Sequence, residues 1–560
     1  MQQVIFLCLI FSVSLLYTNQ LIDLNLSLRF TLFSALGLGL VAFLPRVKMD
    51  VIAWGLFAFY VINISSALWA LSPSEAMFES QRVFYYLIAY IIARHFVQHH
   101  TEFTAKSIIA LSSILLAVNI VWWAGSQFFE TTFASTSAHK NLLSSYLFLL
   151  GVIQYAFYHQ TPHTWRLWSK VNILLSGIFI LVLGTRSVIL ASLFIAYLVF
   201  SKHIWNNLKS WKWTVVATPI LLILALGALI AYRPSLFHAD SLFERFFVWG
   251  KTASLIKDNF FLGVGAGNWE LTYTKYGIGG FDTLDIYGTK IQRPHNDFLW
   301  VMAETGLLGS LLLLTIVWLV IQSAWQNRSH REISRSLMGL VSFGIVAFFS
   351  FPKERIEHIW MLSLLISIAA SRMELKPTLI SKSFRPMLLL ILAFSAIVGA
   401  YRIQGEYHSK NLLMASNDKM YDVVLSEADK AESVFYQILP GGVPIASYRA
   451  EAYLKTGNET LFQQQSTDAF RLAPYNYEVL SNYGMALNAS RQLDSAYAVL
   501  NTAHEINPRY DGAMLNLAIV CYNQQKYSEA KSWIDSIHFK SEITDHYGSL
   551  ISQKLQEKSE

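Results

Sequence analysis

Charged residues and cysteines are both scarce in this sequence. Asp, Glu, Lys and Arg make up only 14% of 560 residues, whereas hydrophobic residues make up 54%, which is too apolar for a single soluble core. The two cysteines, Cys8 and Cys521, lie in different settings, so the sequence predicts neither a disulfide nor a cysteine metal site. The formal net charge of +6 needs no nucleic acid to explain it, because much of the basic excess lies between apolar runs.

Long apolar runs fill the chain up to about Ala400 and are absent after Gly405. Runs of roughly 17 to 25 residues, at about 1.5 Å per residue, cross a hydrocarbon core of about 30 Å. The sequence therefore predicts an all-α protein, with a polytopic transmembrane helical bundle of about 12–13 spans over 1–403 and a soluble helical domain over 404–560. The predicted spans are 3–18, 27–44, 51–70, 83–98, 106–126, 142–158, 170–184, 187–201, 213–232, 297–323, 336–352, 358–371 and 386–403.

Targeting signals and basic residues predict the topology of these spans. The first run lacks the basic segment and cleavage site of a signal peptide, so we expect it to remain as a span. The segment 170–201 forms either a kinked pair or a re-entrant hairpin, because only residues 184–187 separate its halves. Basic residues are about three times as frequent in one set of loops, which predicts a cytoplasmic N-terminus. The large loop 233–296 and the domain 404–560 then lie outside the cytoplasm.

The soluble domain has an internal period. Pro440, Pro474 and Pro508 are 34 residues apart, and small residues keep the same interval at Ala450, Gly484 and Ala518 and at Ala496 and Ala530. This pattern resembles the tetratricopeptide repeat, a stacked helix–turn–helix solenoid, over about 440–537. The alternative is an irregular helical domain whose prolines coincide by chance. The resemblance implies a protein partner without identifying it.

A polar cluster stands directly before the apolar run that begins at residue 297. Arg293, His295 and Asn296 are followed, after nine residues, by Gly306 and then by Gly309. Such polar residues at the mouth of a membrane segment are costly unless they meet water, substrate or one another. The spacing resembles the signature of the O-antigen ligase and polymerase superfamily, membrane transferases that take a glycan from a polyprenyl-diphosphate carrier.

Other segments carry the same resemblance. Arg245 is followed four residues later by Trp249 and then by the glycine-rich turn 263–267, and Arg186 stands in Gly-Thr-Arg-Ser. The resemblance implies that His295 is the catalytic base and that Arg186 and Arg245 contact the diphosphate. Further candidates for substrate binding are Arg293, Asn296, His139, Lys140, Asn141, Trp249 and Glu304.

The substrate explains why these residue types would be needed. Breaking the bond between the anomeric carbon and phosphate leaves a diphosphate with extra negative charge, which guanidinium groups stabilise in bidentate fashion. The attacking hydroxyl must lose a proton, and a histidine near neutral pKa is suited to accept it. No acidic cluster with metal-ligand spacing stands beside these residues, so we expect transfer without a metal or other cofactor, and with inversion at the anomeric carbon.

Each assignment has a structural alternative. His295 could cap a helix, Arg186 could extend toward lipid headgroups, and Arg245 could be a solvated loop residue. Glu304, deep in its span, could pair with a basic residue. We expect the glycine turn 263–267 to form a tight loop rather than a phosphate cradle. Gly306 and Gly309 are expected to let another span approach closely.

Two classes of function remain open. The first is a glycan transferase of the GT-C type in the bacterial inner membrane, with the domain 404–560 and the active site on the periplasmic face. Its partners would be a polyprenyl-diphosphate-linked glycan, membrane lipids and an acceptor hydroxyl on lipid A-core, on a growing glycan or on a protein. The second is a flippase or transporter of lipid-linked glycan, which should carry polar residues through the middle of many spans. The gathering of ionisable clusters at one face favours the transferase.

Overall fold

The computed structural model describes residues 1–45, 47, 49–133, 135–207, 239–278, 291–373 and 381–559. Within these ranges the protein is almost wholly helical, with one antiparallel ribbon of two short strands. The predicted span 213–232 lies outside the described residues, as do parts of the predicted loop 233–296.

The N-terminal part of the chain has most of its helices around one large hydrophobic core, and the helices at 239–258 and 269–272 belong to a second, smaller core. Its helices are α1 (Gln2–Leu15), α2 (Leu26–Phe43), α3 (Val51–Ser65), α4 (Pro73–His99), α5 (Thr101–Phe128), α6 (Lys140–Phe157), α7 (His163–Leu183), α8 (Arg186–Asn207), α9 (Ala239–Asp258), α10 (Trp269–Thr272), α11 (Asp297–Gln326), α12 (Arg331–Phe349), α13 (Ile356–Ala369) and α14 (Ser381–Asn417). Short 3-10 turns occupy Ser66–Leu68, Tyr158–Gln160, Tyr273–Tyr276 and Pro352–Glu354.

Eight helices among the described residues are long and apolar enough to cross a membrane, namely α2, α3, α5, α6, α7, α11, α12 and α14. The predicted spans 3–18, 187–201 and 358–371 correspond to the shorter apolar helices α1, α8 and α13. The predicted span 83–98 lies within α4. The protein is thus a multi-pass helical membrane protein.

The segment 170–201 forms two separate helices that meet at Gly184. This residue closes α7 in the left-handed conformation, with φ of 67°, which glycine adopts without steric cost. Helix α7, before this residue, packs mainly on α5 and α6, whereas α8, after it, packs mainly on α12. The residues between the two helices therefore lie at one end of the bundle.

A sharp kink divides α11 at Gly306, whose φ of 61° and ψ of −162° are accessible essentially to glycine alone. The expectation that Gly306 and Gly309 admit another span is wrong. A Cβ at Gly306 would lie 2.4 Å from the backbone carbon of Phe261, so the close neighbour is the loop after α9, and a Cβ at Gly309 would meet Thr305 of the same helix. The loop after α9 can approach the kink because Gly306, which has no side chain, leaves room for the backbone of Phe261.

The glycine turn 263–267 uses its backbone N–H groups inside the protein. Val264 N donates to the Ala303 carbonyl at 3.0 Å, and Gly265 N donates to the Glu304 carbonyl at 3.0 Å. Ala266 N donates to the hydroxyl of Ser66 at 2.9 Å. The turn is therefore a tight loop, as expected, fastened to α11 and to the 3-10 turn after α3, and these donors are not directed at a phosphate.

The C-terminal part is a stack of helix pairs. It contains α15 (Tyr421–Ala431), β1 (Ile438–Leu439), β2 (Val443–Pro444), α16 (Ile445–Lys455), α17 (Glu459–Leu472), α18 (Tyr477–Ala489), α19 (Leu493–Ile506), α20 (Asp511–Asn523), α21 (Tyr527–Asp535) and α22 (Glu542–Ser559). In the ribbon Ile438 lies opposite Pro444, and Leu439 lies opposite Val443. The small repeated residues are buried where helices meet, which confirms the predicted helical repeat: Ala450, Ala496, Ala518 and Ala530 are all fully buried.

The repeat stack joins the bundle in two ways. Helix α14 is continuous from Ser381 to Asn417, so no break occurs at the predicted boundary 403/404. The stack also binds the loop after α10, because Ile278 N donates to the Ile506 carbonyl at 2.8 Å and the Thr274 hydroxyl donates to the Tyr475 carbonyl at 2.8 Å. The stack therefore lies at the end of the bundle where α11 begins.

We predict that Gly306→Ala destabilises the protein by about 2–5 kcal/mol, because the added Cβ combines a strained backbone with overpacking against Phe261. The matched control is Gly344→Ala in α12, where a Cβ has nothing within 4 Å and the change should stay within about 1 kcal/mol. Denaturation midpoints of the purified proteins in detergent measure both. Equal midpoints would show that the kink does not require glycine.

Candidate active site

The start of α11 fixes the geometry around His295. The side chain of Asn296 caps the helix, since its Oδ1 accepts hydrogen bonds from Phe298 N and Leu299 N, both at 3.0 Å. His295 has φ of 54°, a left-handed conformation that is uncommon for a non-glycine residue. Its ring is half-buried and packs edge-on against Phe351, with centroids 5.0 Å apart. Cap, backbone turn and ring contact together hold the imidazole at the mouth of the helix.

Helix α9 carries Arg245 and Trp249 to the same place. Arg245 Nη1 donates to the Phe349 carbonyl at 2.9 Å, at the end of α12. The indole N–H of Trp249 donates to the Pro294 carbonyl at 2.8 Å, in the residue just before His295. The spacing of about one helical turn between Arg245 and Trp249 places both on the same side of α9.

The predicted segments 137–141 and 184–187 are joined to each other. The Thr185 hydroxyl donates to Asn141 Oδ1 at 3.1 Å. His139 caps α6, since its Nδ1 accepts a hydrogen bond from Asn141 N at 3.1 Å. Arg186, next to Thr185, begins α8 and is exposed, as is Lys140. These two segments therefore form one loop cluster beside the site.

The charges of these groups act on one another, which places them in one electrostatic neighbourhood. Burial, followed by the positive charges of Arg245 and Arg293, lowers the pKa of His295 to about 4. Burial, followed by the charge of Arg186, also lowers the pKa of Arg245. His295 is consequently neutral at pH 7 and able to accept a proton, and the surrounding guanidinium groups favour a bound anion.

Glu354, which the sequence analysis did not single out, pairs with several of these cations. Its carboxylate accepts a hydrogen bond from Arg293 Nε at 2.7 Å, forms an ion pair with Arg355 Nε at 2.9 Å and lies 3.9 Å from Arg82 Nη1. Burial alone would raise the pKa of Glu354, but the charges of Arg293, Arg355 and Arg82 outweigh it and hold the pKa below its ordinary value. Glu354 is 3% exposed, so its charge is balanced inside the protein.

Glu304 occupies a structural position, one of the two alternatives predicted for it. Its Oε1 accepts the indole N–H of Trp300 at 2.8 Å, and its Oε2 lies 3.7 Å from the Lys353 ammonium. Lys353 also binds Glu79 at 2.9 Å and stacks over the Trp300 ring at 3.8 Å. Arg293 likewise pairs with Glu354. A direct contact of either Glu304 or Arg293 with substrate stays a prediction.

The missed residues carried a signal in the sequence. The segment 353–358, Lys-Glu-Arg-Ile-Glu-His, places five ionisable residues between two apolar runs. Arg355 reaches Asp23 at 3.1 Å in the loop between α1 and α2, and Glu357 pairs with Arg29 of α2 at 2.9 Å. Ionisable residues at this density beside membrane segments are expected to pair with one another.

We predict that Glu354→Gln destabilises the fold by about 3–5 kcal/mol, because buried guanidinium groups lose their shared carboxylate. Glu102→Gln is the matched control, since Glu102 pairs with Lys106 at 2.6 Å but is 57% exposed, and we expect a change of about 0.5 kcal/mol or less. Thermal unfolding in detergent compares the two variants. A loss in Glu354→Gln no larger than that in the control would contradict the role of this network.

Comparison with known families agrees with this geometry. Residues 171–314 match the family model described as O-Antigen ligase, a range that includes Arg186, Arg245 and His295. Residues 487–539 match the tetratricopeptide repeat model, which covers α19 to α21. No curated protein matches the chain.

Within the described residues no group of three or more His, Cys, Asp or Glu side chains could hold a metal ion, and metal-independent transfer stays a prediction. The chain is thus a multi-pass membrane protein with one segment similar to the O-antigen ligase family and a C-terminal segment similar to the tetratricopeptide repeat.

Proposed function

We propose that this protein transfers a glycan from a polyprenyl-diphosphate carrier to an acceptor hydroxyl at the periplasmic face of the bacterial inner membrane. One observation carries the proposal: a histidine whose pKa is lowered by burial and by nearby arginines stands at the start of a membrane helix. A neutral imidazole supplies a base, and always-charged guanidinium groups supply an anion site. Both are what the transfer requires.

The arginines act on the donor. Arg186 and Arg245 bind oxygens of the carrier diphosphate, and the bond from the anomeric carbon to the phosphate oxygen breaks with its electron pair leaving on that oxygen. The positive charges stabilise the negative charge that develops there. Arg245 is held by the Phe349 carbonyl, which fixes the direction of its guanidinium before substrate binds. This arrangement needs no metal ion to neutralise the leaving group.

His295 acts on the acceptor. Its imidazole takes the proton of the acceptor hydroxyl while that oxygen forms the new bond to the anomeric carbon. The attack comes from the face opposite the departing diphosphate, so the anomeric configuration inverts. The imidazolium that forms is stabilised by the negative charge of the diphosphate bound beside it, which offsets the depressed pKa of the free enzyme.

The acceptor is a hydroxyl of lipid A-core, of a growing glycan or of a protein. All three need the same base and the same diphosphate contacts, so this site serves each equally well. The repeat stack is fastened to the loop after α10. A repeat surface of this kind supports the proposal that it binds a protein acceptor or a protein partner. Lipopolysaccharide ladders, carrier-linked glycans and glycoproteins compared in a deletion strain would separate the three acceptors.

We predict that His295→Asn abolishes transfer while leaving the unfolding midpoint nearly unchanged. Asparagine tolerates the left-handed backbone of this position but cannot act as the base. His163→Asn, at an exposed histidine that begins α7, is the control and should retain activity. Turnover of a carrier-linked glycan by the purified proteins is the measurement. Wild-type turnover in His295→Asn would remove this residue from the mechanism.

We predict that Arg186→Lys and Arg245→Lys each lower kcat/KM on the order of 10²-fold, because lysine keeps the charge but loses the planar pair of donors. Arg328→Lys is the matched control, since the Arg328 guanidinium also donates to a backbone carbonyl, that of Trp325 at 2.8 Å, outside the site. Steady-state kinetics test the three variants side by side. Unchanged kinetics in both site variants would contradict bidentate binding of the diphosphate.

We predict that kcat/KM stays constant from pH 8 down to about 5 and falls below that, because the pKa of His295 in the free protein is about 4. Arg245→Gln removes a positive charge that lowers this pKa, so the acidic limb should move to higher pH as the rate falls. Lys257→Gln, on the exposed side of the same helix, should leave the limb in place. A wild-type limb near pH 6.5, or the same limb in Arg245→Gln, would refute the electrostatic account.

A further inference from the structure

Three consecutive large apolar side chains project from the protein directly after α9. Phe260, Phe261 and Leu262, here called the aromatic loop, are 40%, 67% and 48% exposed. Exposed apolar surface costs roughly 25 cal/mol per Å², and contiguous patches of it mark sites of contact with a partner or a membrane. A segment predicted to lie in a soluble loop therefore carries a surface that is unsuited to water.

The backbone of the aromatic loop is fastened to α11 just beyond the kink. Leu307 N donates to the Phe260 carbonyl at 2.8 Å, and Leu308 N donates to the Phe261 carbonyl at 3.4 Å. From this point residues 307–326 supply about 30 Å of helix at about 1.5 Å per residue, which equals the hydrocarbon thickness of a bilayer. The aromatic loop is thus located where the membrane-spanning part of α11 begins.

The exposed face of that span continues the apolar surface of the loop. Leu308, Leu311 and Leu314 are 52%, 52% and 57% exposed, and they follow one another at the spacing of one helix face. In a bundle that crosses a membrane, such a face contacts acyl chains. Because Leu308 is bonded to Phe261, the aromatic loop and the lipid-facing side of α11 form one continuous surface.

The other end of α9 repeats this arrangement. Phe243 and Phe246 are 64% and 59% exposed, and Phe246 packs edge-on against Trp249, which also contacts the exposed Phe348 at the end of α12. The same part of α9 carries Arg245 and Trp249, whose side chains donate to the Phe349 and Pro294 carbonyls. Helix α9 therefore has exposed apolar side chains at its start and directly after its end.

We propose that the aromatic loop inserts into the acyl chains of the leaflet on the His295 side and anchors α9 at a fixed depth beside that leaflet. The occupant is lipid, because the loop extends a lipid-facing helix surface without interruption. The anchor sets the height of Arg245 relative to the membrane. The proposal concerns membrane contact and holds whether or not the chain transfers a glycan.

The test places a nitroxide label at single cysteines in the full-length protein. Cys8→Ser removes the exposed native thiol, and Cys521 is buried in α20. Labels at Phe261→Cys, at Leu314→Cys as the lipid reference and at Lys257→Cys as the water reference are compared in phospholipid nanodiscs. Collision rates with molecular oxygen and with a water-soluble nickel chelate give the surroundings of each label. Phe261 tolerates the change because only its backbone makes the bonds to α11.

We expect the label at residue 261 to behave like that at 314, with oxygen collisions several-fold more frequent, and chelate collisions several-fold rarer, than at 257. Chelate access at 261 equal to that at 257 would show a loop in water and overturn the proposal. Protection from both reagents would mean that protein covers the loop, for example a second copy of the chain, and would also overturn it. Leu262→Cys, whose side chain is 48% exposed, provides an independent position if the first variant fails to fold.

Discussion

The buried carboxylate of Glu354 is the contact on which the rest of the site depends. It joins Arg82 of α4, Arg293 before α11 and Arg355 before α13, segments far apart in the chain. Arg355 extends the connection to Asp23 in the loop between the first two helices. Because Arg293 is only two residues from His295, this charge pair fastens the segment that carries the imidazole.

The arginines around the site divide by the kind of partner they have. Arg82, Arg293 and Arg355 are balanced by carboxylates, so their charge is spent on holding helices together. Arg245 is held instead by a backbone carbonyl, which directs the guanidinium without neutralising it. Its positive charge is therefore available to an anion, and together with burial this charge lowers the pKa of His295. Arginines paired with carboxylates thus hold the helices together, whereas Arg245, held by a carbonyl, keeps its charge for binding an anion.

Local patterns predicted most of the fold and the centre of the site. The apolar runs, the 34-residue period and the cluster around His295 are properties of neighbouring or regularly spaced residues, and a sequence displays them directly. The Glu354 network depends on pairs such as Arg82 and Glu354, 272 residues apart, which no local pattern indicates. The predicted role of Gly306 was also wrong, because a small residue in a span leaves room for either a helix or a loop. In the structure the loop after α9 occupies this space.

The central claim is direct displacement at the anomeric carbon with His295 as base, and product stereochemistry tests it most directly. A purified protein would be given a carrier-linked glycan of known anomeric configuration, and the linkage in donor and product would be assigned by NMR. Direct displacement predicts inversion, so an α-linked donor yields a β-linked product in one step. Retention of configuration, or a glycan trapped covalently on the protein, would contradict the mechanism and the role assigned to His295.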